Sequence, residues 1–175
     1  AAGLATRLRP LTNTSPKPLL PIAGTPLIVW NLLLLKRHGF HHVVINLHYL
    51  GPMIEQALGD GSKFGMRIIY SHEPIILGTG GGIKKAEPYF SGEPVLILNA
   101  DTLVELDLGA LRDFHCSRGA AATLALREDQ DAERWGLVEV GEQDRIVRIT
   151  GRGVREATTI AQRMFAGIHI LHPRL

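Results

Sequence analysis

The sequence predicts an α/β protein built as a doubly wound, mostly parallel sheet, followed by a β-rich second half. Three observations carry this expectation. The runs "HVVINL" and "PVLILNAD" are apolar on both faces, helix-length stretches separate such runs, and past Asp101 the chain changes to closely spaced strand candidates. A strand that is apolar on both faces belongs inside a sheet covered by helices on either side.

The opening, "AAGLATRLRPLTNTSPKPLLPIAGTP", is a loop carrying two glycines, three cations and five prolines. "TPLIVWNLLLLKRHGF" has helix length and dense apolar content, and Gly39 supplies a C-terminal stop. "HVVINL" is a buried strand, "YLGPMIEQALGDG" carries apolar residues at helical spacing, and "GMRIIYS" is a second strand. A helix from Thr79 in "TGGGIKKAEPYF" leads to "PVLILNAD", which ends in Asp101. "LGALRDFHCSRG" is helical with Asp107 as its N-cap. "AATLALRE", "GLVEVGEQDRIVRIT" and "RMFAGIHIL" are strands, with "GEQDR" as a hairpin turn, and "GRGVREATTIAQR" is the expected mobile polar loop.

With 175 residues, 45% of them apolar, the chain has enough material for one substantial core and reads as a single domain. Only Ala1 and Ala2 precede the Gly3 turn, and "FAGIHILHPRL" reads as a strand leading onward, so a first strand and a C-terminal segment are expected to lie outside the sequence. A net charge of +2 argues against a nucleic-acid stripe or a membrane patch, both of which need many cations on one surface. The longest apolar runs fall short of the ~20 residues that span a bilayer. Cys116 is the only cysteine, which rules out an internal disulfide and suits a reducing, cytoplasmic compartment.

Four stretches carry candidate chemistry. In "GLATR" a glycine lets backbone N–H groups approach an anion, and Arg7 adds a guanidinium able to contact two oxygens. In "SPKPLLP", Lys17 stands between Pro16 and Pro18, so extended backbone and a preorganised ammonium are expected; a solvated lysine in a stiff connection fits the same letters. "LGTGGGIKKA" departs from both the Walker and the G-x-G-x-x-G patterns. Its Gly80, Gly81 and Gly82 suit either a ligand lying against the backbone or close helix-to-sheet packing. Asp101, at the carboxyl end of a central strand, sits where open α/β sheets bind ligands and suits part of a Mg²⁺ site, or is simply a turn residue. The "HGFHH" histidines (His38, His41, His42) read as a solvated turn, and His72, His115, His169 and His172 have no acid or cysteine arrangement that would mark a triad or a zinc site.

In order, "AAGLATRLRPLT", "PKPLLPIAGTPLI", "LGTGGGI" and "LILNAD" resemble the sugar-1-phosphate nucleotidyltransferases. "ERWGLVEV" and "FAGIHIL" extend the similarity over nearly the whole chain. Through "LGDGSKFGMRIIYSHE" it looks most like the bacterial mannose-1-phosphate guanylyltransferase and N-acetylmuramate-1-phosphate uridylyltransferase group. The resemblance implies a Rossmann-like fold, with 1–106 as nucleotide-binding part and 107–175 as sugar-binding part. It implies Mg²⁺ as cofactor, with a nucleoside triphosphate (GTP or UTP) and a sugar 1-phosphate as substrates. By match to the family pattern, the backbone of Ala2, Gly3 and Leu4 holds the triphosphate, with Asn99 also on the nucleotide side. Arg7 neutralises the departing phosphates, Lys17 bridges the α-phosphate and the incoming phosphate, and Asp101 holds the metal. Glu73 and Gly80 to Gly82 face the base, and Gly136 and Gly167 approach the sugar.

Three departures from the pattern are visible. Ala5 replaces a common second glycine, and "TGRG" stands where many relatives have a Glu-Lys pair, leaving Arg152 as the local cation. The family's second metal carboxylate belongs to the C-terminal segment. These departures motivate an alternative, a nucleotide-sugar binding module without turnover; a cytidylyltransferase acting on a non-sugar alcohol phosphate fits the second half poorly.

Overall fold

The computed structural model describes residues 1–175, which divide into two compact units: Ala1–Glu93 with Leu98–Arg112, and Pro94–Ile97 with Asp113–Leu175. In the first unit a small hairpin, β1 (Pro21–Ile22) with β2 (Thr25–Pro26), leads into helix α1 (Leu27–Arg37). Gly39, at φ +82°, ends that helix as its sequence predicts. Strands β3 (His42–Leu47) and β4 (Arg67–His72) pair in parallel, Ile45 opposite Tyr70, through a crossover containing α2 (Gly51–Leu58). A parallel pair requires such a crossover because both strands must start from the same end. Leu27, Ile28, Leu32 and Leu35 of α1, Ile45 and Leu47 of β3, and Ile54 and Leu58 of α2 are buried. Each contributes about 1.5–3 kcal/mol by leaving water.

Helix α3 (Gly78–Ala86) begins one residue before the expected Thr79. The expected extended backbone at Lys17 is not found, since Lys17–Leu19 form a 3₁₀ turn. Two hydrogen bonds close that turn, Leu19 N to Pro16 O (2.8 Å) and Leu20 N to Lys17 O (3.1 Å). Pro18 is tolerated there because a first helical turn needs no N–H from it.

The second unit is a six-stranded sheet in the order β5 (Val95–Leu98), β10 (Ala161–Leu171), β7 (Leu137–Val140), β8 (Ile146–Ile149), β9 (Arg152–Gly153), with β6 (Ala122–Arg127) also paired to β10. β7 and β8 form the expected antiparallel hairpin. Helix α4 (Leu108–Arg118) passes from the first unit into the second, and the short α5 (Ala132–Trp135) precedes β7. Asp107 caps α4 as expected, its Oδ1 accepting from Ala110 N at 2.9 Å. The segment expected to be a mobile polar loop is instead tied down. Arg148 donates to the carbonyls of Val154 (2.8 Å), Arg155 (3.2 Å) and Ala157 (3.2 Å), to Thr159 Oγ1, and to both oxygens of Glu139. The sheet and helices give the predicted α/β architecture, and no helix is long and apolar enough to cross a membrane.

Candidate active site

The opening loop of the first unit is shaped by Ala5 and by two residues that sequence reasoning did not single out, Thr12 and Tyr49. Ala5 adopts left-handed backbone, φ 49° and ψ 37°, which favours glycine. Thr12, fully buried, donates from Oγ1 to Ala5 O at 2.9 Å, and Tyr49 donates its hydroxyl to Thr12 O at 3.0 Å. Both bonds tie the loop from within the chain. Ala2 is buried, Leu4 is exposed, and a methyl added at Gly3 would meet nothing within 4 Å, so backbone is open to approach there. Arg7 is exposed, on the 3₁₀ turn Thr6–Leu8.

Lys17 and Asp101, 84 residues apart in sequence, meet: Nζ donates to Oδ2 at 2.7 Å, with the side chains 30% and 46% exposed. Pro16 and Pro18 are buried on either side of Lys17, and Asn99, itself exposed, accepts from Thr102 N at 3.1 Å to close the turn that presents Asp101. A half-exposed pair of this kind is worth about 0–1 kcal/mol to stability. Asp101 keeps solvent exposure and its Oδ1 for a further ligand. No group of three or more His, Cys, Asp or Glu residues is arranged to hold a metal. A divalent cation here would rest on the Asp101 carboxylate together with ligand phosphates, a donor set that suits Mg²⁺.

Glu73 is only 4% exposed. Its Oε1 accepts from Asn46 Nδ2 at 2.8 Å and its Oε2 from Leu77 N at 2.9 Å, at the start of α3. Asn46 Oδ1 accepts from the Ala1 nitrogen at 2.5 Å.

The three glycines of α3 divide between the two roles weighed for them. A Cβ at Gly82 would lie 2.8 Å from Glu73 Oε1 and 2.9 Å from Asn46 Nδ2, which is close packing. At Gly81 it would lie 2.8 Å from Leu77 Cβ. At Gly80 it would meet nothing within 4 Å, which leaves backbone free for a ligand.

In the second unit, Gly136 (φ +113°) ends α5, and Gly167 (φ +79°) lies in the register irregularity of β10 between Phe165 and His169. Both positions use backbone that side-chain-bearing residues rarely adopt. Arg152 is exposed on β9. Two histidines have one acidic neighbour each, and neither contact belongs to a group of three or more such residues able to hold a metal. His72 Nε2 lies 3.1 Å from Glu55 Oε1, and His38 Nδ1 lies 3.4 Å from Asp107 Oδ1. Folding brought those acids close from distant positions.

The first unit is an α/β unit that gathers a glycine loop, a lysine–aspartate pair and a glycine-led helix. The chain belongs to the nucleotidyl transferase family, whose model matches residues 1–165. It is 53% identical over 111 residues to the N-acetylmuramate alpha-1-phosphate uridylyltransferase of Neisseria meningitidis serogroup B, covering 63% of this chain and 48% of that protein. It is 40% identical over 145 residues to the mannose-1-phosphate guanylyltransferase of Mycobacterium tuberculosis, covering 83% of this chain and 40% of that protein. The crystal structure of HddC from Yersinia pseudotuberculosis complexed with GMP-PN superposes with a TM-score of 0.78 at 26% identity, over 99% of this chain and 75% of that one. The matches span 48% and 40% of those two relatives' own lengths.

Proposed function

We propose that the protein transfers a nucleoside monophosphate from GTP or UTP to a sugar 1-phosphate in the cytoplasm, with Mg²⁺ as cofactor. A phosphate oxygen of the sugar 1-phosphate forms a bond to the α-phosphorus, the bond from that phosphorus to the β-phosphate oxygen breaks, and pyrophosphate leaves. The nucleophile is already an anion, so the barrier lies in bringing two polyanions together and spreading their charge. The two relatives named as uridylyl- and guanylyltransferases and the GMP-PN complex support the substrate class.

The observation that carries the proposal is the 2.7 Å contact between Lys17 and Asp101. Lys17 exchanges part of its contact with Asp101 for the α-phosphate and the incoming phosphate, and Arg7 contacts the departing β,γ-phosphates. Backbone N–H groups at Ala2, Gly3 and Leu4 orient the triphosphate. Bound by Asp101 and phosphate oxygens, Mg²⁺ would neutralise charge on the triphosphate. Glu73 shapes the Leu77–Gly82 turn against which the base lies, Gly80 leaves room for it, and Asn99 fixes the turn carrying Asp101. Gly136 and Gly167 are assigned to the acceptor sugar, and residues 1–106 and 107–175 are read as nucleotide and sugar parts of one domain.

Pyrophosphate release from GTP or UTP with mannose 1-phosphate or N-acetylmuramate 1-phosphate tests the reading. Lys17→Ala and Asp101→Ala are each expected to lower release by about 10²–10³-fold, the usual cost of deleting one preorganised charge-stabilising group. Turnover equal to the parent in both variants would refute the assignment.

A further inference from the structure

We infer that Asn46 is a positioning residue of the nucleotide site, acting through Glu73 and the start of α3; this rests on the proposed nucleotide binding and adds to it a residue that no sequence motif marks. Asn46 stands between the apolar Ile45 and Leu47 near the carboxyl end of β3, the edge where α/β sheets take ligands. Its amide joins three segments distant in sequence. Nδ2 donates to Glu73 Oε1 at 2.8 Å, and Oδ1 accepts from the Ala1 nitrogen at 2.5 Å. The second oxygen of the same carboxylate accepts from Leu77 N at 2.9 Å, so Asn46 fixes the position from which α3 begins.

The chemistry of the three partners dictates an amide. A carboxylate only accepts and the Ala1 nitrogen donates here, so the group between them must do both. Alanine offers neither. Aspartate offers two acceptors when ionised, yet when protonated it has an O–H for Glu73 and an oxygen for the Ala1 nitrogen. Packing leaves no slack for a substitute position, because a Cβ at Gly82 would collide with Glu73 Oε1 and Asn46 Nδ2 together.

Asn46→Asp therefore converts a constant lock into a pH-dependent one. Two carboxylates at this separation cannot both be charged cheaply, and they share a proton. The titratable group facing the pair is His48, whose Nδ1 lies 2.8 Å from Glu73 O. The parent measured at each pH is the reference that isolates the effect of position 46.

The test is calorimetric affinity for UTP and GTP at pH 5.5 and pH 8, for the parent, Asn46→Ala and Asn46→Asp, with thermal unfolding of each as a control. Asn46→Ala is expected to bind about tenfold more weakly at both pH values, the loss of one hydrogen bond to a charged group. Asn46→Asp is expected to bind as weakly at pH 8 and to recover most of the parent's affinity at pH 5.5, a recovery that a purely structural role would not produce. Should Asn46→Asp fail to fold, Gly82→Ala separates the same pair and is expected to weaken binding at both pH values. Parent-like affinity in the Asn46 variants at both pH values, or in Gly82→Ala where it stands in, would overturn the inference while leaving the functional reading intact. A parent that binds neither nucleotide would overturn both.

Discussion

Replacing Thr12 with valine tests whether the opening loop is shaped in advance. Thr12 is fully buried, and its hydroxyl holds the carbonyl of Ala5 at 2.9 Å. Valine keeps the shape and removes the donor, so a part-buried carbonyl is left without its partner at a cost of about 1–3 kcal/mol. That carbonyl belongs to a residue held at φ 49°, a conformation costing an alanine about 1–2 kcal/mol. Ala5→Gly removes this strain and loses about 0.5–1 kcal/mol to the greater freedom of unfolded glycine, for a net gain of about 0.5–1 kcal/mol. Urea unfolding followed by Trp30 fluorescence in a Trp135→Phe background reads the first unit. With a slope of about 2 kcal/mol/M, Thr12→Val is expected to lower the midpoint by about 0.5–1.5 M and Ala5→Gly to raise it by about 0.3–0.5 M. An unchanged midpoint for Thr12→Val, or a lowered one for Ala5→Gly, would refute the reasoning.

Gly80→Ala is expected to raise the same midpoint, since nothing lies within 4 Å of the added methyl and alanine favours a helix by up to about 1 kcal/mol. The same variant is expected to weaken nucleotide binding in a thermal-shift titration, and unchanged binding would remove Gly80 from the site. In the second unit, burial, followed by the charges of His172 and Arg174, holds His115 below its ordinary value, and burial does the same to His169. A histidine depressed in the folded state contributes stability that is present above its unfolded pKa of about 6.5 and is lost as pH falls below it. Unfolding followed by Trp135 in a Trp30→Phe background is therefore expected at a lower urea concentration at pH 5.5 than at pH 8. Equal midpoints would contradict this. Hydrogen bonds from Arg148 hold Glu139 below its usual range, so that pair adds a further loss only in more acidic solution.

The alternating order of strands and helices was legible because burial on both faces leaves a local signature: "HVVINL" became β3, and "GEQDR" became a hairpin turn. Lys17 and Asp101 were legible as residue types with chemistry to offer, flanked by proline and by an apolar strand. The 3₁₀ turn at Lys17 was not, because the hydrogen bonds closing it outweigh the preference of a residue before proline. Thr12, Asn46 and Tyr49 were also missed, for another reason. Each acts on a partner 7 to 45 positions away, and nothing in the neighbouring letters records that partner. A polar residue after Val43–Ile45, one position before the end of β3, was the one available hint for Asn46. The separate duties of Gly80 and Gly82 depend on which face of α3 meets Glu73, which the repeated letter G does not encode.

The central claim is that Lys17 and Asp101 serve one polyphosphate as a unit. Single-turnover pyrophosphate release from Lys17→Met, Asp101→Asn and the double variant measures this most directly. Residues acting as a unit give non-additive losses, so the double variant is expected to be no slower than the slower single variant by more than about threefold. Losses that multiply in the double variant, or release at the parent's rate in either single one, would contradict the account.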